Sequence, residues 1–233
     1  PPEHSFALFL RQMSLQETLE EGGGVQSLLD ECLWHFKHPD GRLKGLVSTH
    51  VDDLAIASGE QFLMEQQKKL NSKYGSIKAQ RTPFTHCGCR YSELPGGGYK
   101  VDQQDFVDSL KCQEITNTGD NSRPLTAEEL TKFRSALGGL LWLTATRLDL
   151  VADVSILQGR VTKATVGDML MANSVIRKAK QKQYYGMGLT YKRFSTPTPR
   201  RLLTINDASA AAKGRNYAQE GVIILLAPDH LRL

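Results

Sequence analysis

Two adjacent carboxylates are the residues of this chain best suited to chemistry. Asp52 and Asp53 stand side by side in the segment STHVDDLAIAS, residues 48–58, between two short apolar runs. Mg²⁺ prefers oxygen ligands and usually takes one or two protein carboxylates. Two such ions about 3.5–4 Å apart can activate an attacking hydroxyl and stabilise a departing pyrophosphate. A solvated turn is the open alternative, because aspartate is common in turns.

The surrounding pattern predicts that this pair lies at the tip of a β-hairpin. Apolar runs at 32–37 and 45–51 flank an Asp-Gly turn, and a third run follows at 54–58. Neighbouring side chains of a regular strand point to opposite faces, whereas at a hairpin tip both can converge. The predicted hairpin therefore makes a shared metal possible, although a third carboxylate must come from another strand.

Flanking elements give the first hundred residues an α+β pattern. Helices are predicted over 6–20 and 60–74, the second with a stripe of Leu63, Leu70 and Tyr74. The glycines of residues 22–24 are expected to end the first helix in a plain turn. A further strand pair, THCGCRYSEL and GYKVD, is joined by PGGG at 95–98.

The next part of the chain is predicted to be helical. Thr126 and Glu129 have the spacing of a capping box, and an apolar stripe follows them. Further helices are predicted over 148–161 and 166–182. The stripes are interpreted as core, with these members: Leu130, Phe133, Leu137, Leu140 and Leu141 in the first helix, and Met169, Ala172, Ile176 and Ala179 in the last.

The last part returns to β-structure. A basic, proline-rich linker at 192–201 precedes two apolar runs, LLTIND and GVIILLA. These runs predict the start of a β-hairpin.

Four segments, in order, resemble the Pol polyprotein of copia-type LTR retrotransposons. STHVDDLAIAS resembles the x-Val-Asp-Asp core of reverse transcriptases, and LLDECLWHFKHPDGRLKGLVSTHVDDL is similar to the strands that lead into it. FTHCGCRYSELPGGGYKVDQQDFVDSL is similar to the primer-grip hairpin and the glutamine-started helix after it. FRSALGGLLWLTATRLDLVADVSILQGRVTKAT is similar to the family's T-R-P-D segment, and LLTINDASAAAKGRNYAQEGVIILL to the start of its ribonuclease H domain.

The resemblance implies an architecture and its boundaries. The fold class is α+β, with a polymerase palm sheet and flanking helices, a helical thumb/connection, and a truncated ribonuclease H-like β-hairpin at the C-terminus. The implied domains are a partial palm at 1–101, the thumb/connection at 102–187 and the start of ribonuclease H at 188–233.

The resemblance also implies an activity, RNA-directed DNA polymerisation by two-metal nucleotidyl transfer. Asp52, Asp53 and Asp207 would be catalytic and would bind Mg²⁺ or Mn²⁺, and His50 and Val51 would lie near the primer or nucleotide. The implied partners are an RNA or DNA template with its primer, deoxynucleoside triphosphates and the remainder of the Pol polyprotein.

Departures from the family pattern lower the activity expected of the chain. His50 replaces the usual tyrosine, Leu148 a proline and Ala210 a tryptophan. The family's first palm carboxylate is expected upstream of Pro1, and Asp207 is the only ribonuclease H carboxylate expected here. Little activity is therefore expected of the chain alone. A degenerate relic and a non-catalytic nucleic-acid-binding domain that keeps the palm shape are the alternatives.

Clustered basic residues are the candidate nucleic-acid contacts. The expected phosphate ligands lie near Tyr184 and Tyr185 and are Arg177, Lys178, Lys180, Lys182, Arg200 and Arg201. A solvated helix end followed by a basic linker is the alternative.

Composition and cysteine usage bound the class of protein. The 233 residues are 40% hydrophobic and 23% charged, which excludes disordered and fibrous classes, and the net charge of +4 only weakly favours a polyanion partner. The longest apolar run, VIILLA, is too short to cross a membrane, and the N-terminus PPEHSF lacks a signal-peptide layout, so an intracellular location is expected. The resemblance implies a cytoplasmic particle or the nucleus. Cys87 and Cys89 lack the spacing of a zinc site, and the four cysteines are expected to be free and mostly buried.

Overall fold

A mixed α+β architecture is confirmed. The computed structural model describes residues 14–51, 53–192, 200–209 and 219–228. Two compact units divide the chain: the smaller comprises Leu94–Tyr99 and the residues from Tyr191 onward, and the larger comprises the rest. No helix within these described ranges is long and apolar enough to cross a bilayer.

The first sheet carries the predicted hairpins. Its order is β1-β2-β3-β4, with antiparallel pairing, and its strands are β1 (Val25–Gln26), β2 (Leu33–Lys37), β3 (Leu43–His50) and β4 (Asp53–Ser58). Alternation along β2 and β3 buries Trp34, Phe36 and Val47 on one face. Phe62 covers this face, with its ring centroid 4.9 Å from that of Phe36.

Helix α2 (Glu60–Tyr74) packs on this sheet with a different stripe from the one predicted. Phe62, Gln66 and Leu70 are its buried residues. Of the predicted stripe, Leu70 is buried, but Leu63 is only half-buried and Tyr74 is 41% exposed. The stripe prediction was wrong at Tyr74 because its hydroxyl binds polar groups of the helical residues 14–21 (α1), lying 2.7 Å from the Thr18 hydroxyl.

Gly45 lets α2 approach the sheet closely. A Cβ at Gly45 would lie 2.7 Å from Cε1 of Phe62, which is closer than real Cβ contacts come. The Phe62 ring therefore fills the space that a side chain at position 45 would occupy.

A second sheet follows α2. Its order is β5-β6-β7-β8, with strands β5 (Phe84–His86), β6 (Cys89–Glu93), β7 (Gly98–Asp102) and β8 (Gly188–Lys192). The segment predicted as one strand, THCGCRYSEL, is instead the β5–β6 hairpin, which reverses at Cys87 and Gly88. Strand β8 was not predicted from the sequence.

Four helices build the larger hydrophobic core. They are α3 (Gln104–Ser109), α4 (Ala127–Leu143), α5 (Val151–Gln158) and α6 (Val166–Ala179). Phe133, Leu137, Leu140, Met169, Ala172, Ile176 and Ala179 are buried in this core as predicted. Leu130 is only partly buried against this core. The prediction that Leu141 is a core residue was wrong, because Leu141 is exposed on the outer face of α4.

Helix boundaries differ modestly from the predictions. The helix expected over 148–161 begins as a 3₁₀ turn, Leu148–Leu150, and its α-helical part ends at Gln158. The helix expected over 166–182 ends at Ala179 and is followed by a 3₁₀ turn, Lys182–Tyr184. Of the helix predicted over 6–20, residues 14–20 are described and are helical, within a helix that continues to residue 21, and residues 1–13 lie outside the described part.

A long antiparallel hairpin forms most of the smaller unit. Strand β9 (Arg200–Ser209) pairs with β10 (Gln219–Pro228) along their full lengths, with Leu202 opposite Leu226 and Ile205 opposite Ile223. The hairpin predicted from the two apolar runs is therefore present. Residues 193–199 of the predicted linker and Ala210 lie outside the described residues.

Candidate active site

The turn between β3 and β4 places one of the two candidate carboxylates. His50 and Asp53 are paired across the hairpin, so the chain reverses between them. Both side chains are exposed, and Asp53 is the first residue of β4. Asp52 lies outside the described residues, so its proposed role as a metal ligand stays a prediction.

Val51 has an unusual backbone conformation at this turn. Its φ is +58°, in the left-handed region that a β-branched residue seldom adopts, and it is 46% exposed. Such conformations cost on the order of 1–3 kcal/mol and cluster at active sites and switch regions. The turn is therefore held by the pairing on either side of it rather than favoured by the valine itself.

A second turn lies against the first. Cys87 and Gly88 form the reversal between β5 and β6, with φ values of +48° and +71°. The rings of His50 and His86 meet edge to face with centroids 6.4 Å apart. The two hairpin tips thus bring His50, Asp53, His86 and Cys87 into one region of the larger unit.

Electrostatics at this region also connect the two turns. Burial raises the pKa of the Cys87 thiol, and the negative charge of Asp53 raises the pKa further. The thiol is therefore held in its neutral form beside the carboxylate. Because the neutral thiol is a poor nucleophile and a poor metal ligand, Asp53 is the stronger candidate for metal chemistry here.

The cysteines differ from the prediction in burial. All four are free, as expected. The expectation that they are mostly buried was wrong, because Cys32 and Cys112 are exposed and Cys87 and Cys89 are half-buried. Among the described side chains, no group of three His, Cys, Asp or Glu residues is arranged to hold a metal ion.

A buried polar network ties the segment after the second sheet to the end of α4. The Thr146 hydroxyl donates to the Gln103 side-chain oxygen at 2.8 Å, and Gln103 Nε2 donates to the Trp142 carbonyl at 3.3 Å. Gln103 and Thr146 are both buried. These contacts join two segments, at 103 and at 142–146, that are far apart in the sequence.

Arg147 is the structural centre of the T-R-L-D segment. It is 1% exposed, pairs bidentately with Asp149 at 2.8 Å and donates to the Ala179 carbonyl at 3.1 Å. The guanidinium hydrogen bonds hold the pKa of Asp149 below its ordinary value. The sequence signal for this ion pair is the spacing of arginine and aspartate in TATRLD, which the periodicity of the segment does not predict.

The predicted phosphate contacts on α6 have different surroundings. Lys178 pairs with Asp153 at 3.0 Å and donates to the Asp149 carbonyl at 3.2 Å. Lys180 is exposed and donates to the Asp108 carbonyl at 3.0 Å. Arg177 and Lys182 are exposed, with Arg177 Nη1 4.0 Å from the Cys112 sulfur. Of these four basic residues, Lys178 thus makes the most contacts within the protein, an ion pair and a hydrogen bond.

The remaining candidates lie on β9. Asp207 is exposed opposite Gly221, and Arg200 and Arg201 are exposed opposite Pro228 and Ala227. All three belong to the smaller unit. Their roles in metal or nucleic-acid binding stay predictions.

Comparison with known proteins identifies no relative. Searches against protein-family models, curated proteins and solved structures each returned no match.

Proposed function

We propose that the chain is part of a reverse transcriptase, an RNA-directed DNA polymerase from the Pol polyprotein of a copia-type retrotransposon. The observation that carries the proposal is the tight β3–β4 turn, which presents the exposed Asp53 carboxylate beside a strained Val51. The four ordered sequence resemblances support the choice of family, and the exposed carboxylate at the turn supports the chemistry.

Asp53 fits a hard divalent cation. Its carboxylate is exposed, and no cation of the described residues forms a salt bridge with it. Asp53 together with Asp52 would hold Mg²⁺ or Mn²⁺, which would supply activation of a primer hydroxyl for attack on the α-phosphate of a deoxynucleoside triphosphate, with pyrophosphate as the leaving group. The protein's own part is to hold the carboxylate at a fixed point on a paired strand.

The neighbouring turn suits a role in holding the nucleic acid. The β5–β6 reversal packs against the carboxylate turn through His50 and His86, so a strand bound on one turn would pass the other. The network of Gln103 and Thr146 fixes α4 relative to the end of β7. A template with its primer is the partner proposed for this surface.

Metal binding is the direct test. D53N is expected to weaken Mn²⁺ affinity by about 10- to 100-fold, measured by electron paramagnetic resonance with a primer–template and a deoxynucleoside triphosphate present. D40N is the matched control, because Asp40 is also exposed at a hairpin turn, where it instead accepts from Arg42. Equal Mn²⁺ affinity of D53N and D40N would contradict the proposal.

Primer extension on an RNA template tests the activity itself. We expect weak synthesis from the 233-residue chain, because His50 and Leu148 depart from the residues that the family motif has at these positions. D53N should abolish whatever synthesis the wild type shows, while D40N should retain it. Robust synthesis by the wild-type chain would show that two aspartates suffice or that a further ligand joins them.

A non-catalytic nucleic-acid-binding domain is the second candidate. The departures from the family pattern at His50 and Leu148 favour it. Under this alternative, primer–template binding would be insensitive to Mn²⁺, and D53N would bind nucleic acid as tightly as the wild type. A titration with and without the metal separates the two functions.

A further inference from the structure

Trp142 is a half-exposed tryptophan that is not among the buried residues of the hydrophobic core. It lies on α4 and is 45% exposed, whereas Trp34, the other tryptophan of the chain, is 1% exposed in the sheet core. An indole combines a large apolar face with a polar N–H, which makes a half-exposed tryptophan well suited to contact a flat partner.

The indole lies against the turn that neighbours the carboxylate hairpin. A Cβ built on Gly88 would lie 3.6 Å from Cζ2 of Trp142 and 3.8 Å from Nε1, so one edge of the ring meets this turn. His86, which precedes Cys87 in the same turn, meets the ring of His50 edge to face, with centroids 6.4 Å apart. A continuous path of contacts therefore runs from Trp142 through the β5–β6 turn to the β3–β4 turn.

The backbone beneath the indole is held in place. The Trp142 carbonyl accepts a hydrogen bond from Gln103, which is itself buried and bound to Thr146. An aromatic ring on a fixed helix loses little conformational entropy when it binds a flat partner. The site is thus a rigid, flat, half-exposed surface beside a turn that carries a carboxylate.

We propose that Trp142 stacks on the exposed face of a nucleobase and so positions a nucleic-acid strand beside the Asp53 turn. The inference rests on the proposed function, because that function brings a nucleic acid to this turn. Base–aromatic stacking tolerates any sequence, since every base has a π-face. The base would be either unpaired or in the last pair of a duplex, because inner pairs have no free face.

Fluorescence of the full 233-residue chain tests this stacking. Oligo(dT) and a blunt-ended duplex are titrated at constant salt, with binding followed independently by anisotropy of a labelled strand. Stacking should quench the tryptophan emission of the wild type as the complex forms. Quenching by oligo(dT) alone assigns an unpaired base, and quenching by the duplex as well assigns the terminal pair.

Three variants separate stacking from folding. W142A should raise the dissociation constant about 5- to 150-fold, W142F should stay within a few-fold of wild type, and both should lose the quenching. L141A is the matched control, because Leu141 is the neighbouring residue and is similarly exposed. It should bind and quench as the wild type does, while emission from Trp34 in W142F reports that the sheet core is folded.

Each outcome bears on one proposal or both. Binding without quenching, or a W142A dissociation constant equal to that of wild type, overturns the role of Trp142 and leaves the polymerase proposal standing. A wild-type chain that binds neither probe overturns both.

Discussion

At the residue scale, the sequence predicted where the chain reverses but not the backbone conformation of the residues in the turn. Two apolar runs on either side of Val-Asp-Asp were sufficient to place Asp53 at a hairpin tip, because a run of alternating residues must stop where pairing ends. The positive φ of Val51 was not predictable, since the intrinsic preference of a β-branched residue opposes it. The pairing of His50 with Asp53 overrides that preference.

Replacing Val51 with glycine should relieve this strain. V51G is expected to raise the free energy of unfolding by about 1 kcal/mol, because glycine adopts positive φ without a steric penalty. V25G is the control: Val25 is also an exposed valine, but it is a strand residue of β1 without a positive φ. Urea denaturation measures both, and a destabilised V51G would show that the valine side chain supports the turn.

The residues that surround the Asp53 turn could not be predicted from the sequence. His86, Cys87 and Trp142 are far from Asp53 in sequence, and only the fold brings their segments together. The Cys-Gly dipeptide between two short β-like runs was a usable signal for a two-residue reversal. Nothing in the local pattern indicated which other turn it would meet.

At the element scale, capping chemistry was the most predictable feature. Thr126 and Glu129 form the predicted capping box at the start of α4. A second box, Thr165 with Asp168, starts α6 and was missed because aspartate takes the place of the usual Glu or Gln. Side-chain stripes were less reliable, since Tyr74 satisfies the spacing of a core position while using its hydroxyl at the surface.

Glu129 should make the stability of the larger unit depend on pH. Hydrogen bonds from Arg123, and then from the Thr126 backbone, lower its pKa to about 2 from an ordinary 4.5. Because the folded state has the lower pKa, the stabilisation is fully present above about pH 4.5 and is lost as the pH falls towards 2. E129Q should therefore lower the Tm at neutral pH and flatten the fall of Tm across this window.

The neighbouring carboxylate provides the control for this pH dependence. E128Q makes the same charge change in the same turn, but the Glu128 side chain is 79% exposed. Thermal denaturation at several pH values compares the two variants. A Tm profile of E129Q as steep as that of the wild type would contradict the assignment.

At the scale of the whole molecule, the class of fold was predictable and the assembly of its parts was not. Hydrophobic periodicity separated strand from helix along most of the chain, because periods of 2 and 3.6 residues differ clearly over ten or more positions. Strand β8 was missed because its five residues, GLTYK, are short and largely polar. Its place in a sheet with β5, β6 and β7 depends on pairing between residues far apart in the chain.

Two hydrophobic clusters lie within the larger unit, and we expect them to unfold together. One contains Phe133 and the α3–α6 helices, and the other contains Trp34 and the first sheet. Truncating a fully buried phenylalanine costs about 3–5 kcal/mol through lost burial and a cavity. If the unit is cooperative, F133A should lower the urea midpoint equally in the helical circular dichroism signal and in Trp34 fluorescence.

The measurement is made in a W142F background, so that Trp34 is the only tryptophan emitting. Trp34 lies in the strand cluster, and any shift of its midpoint must therefore be transmitted from the helices. L141A provides the matched control, since truncating an exposed residue of the same helix should change the unfolding free energy by about 0.5 kcal/mol or less. A Trp34 midpoint that stays fixed while the helical signal shifts would show that the sheet folds independently of the helices, and that the two hairpin turns beside Asp53 are not stabilised by α4.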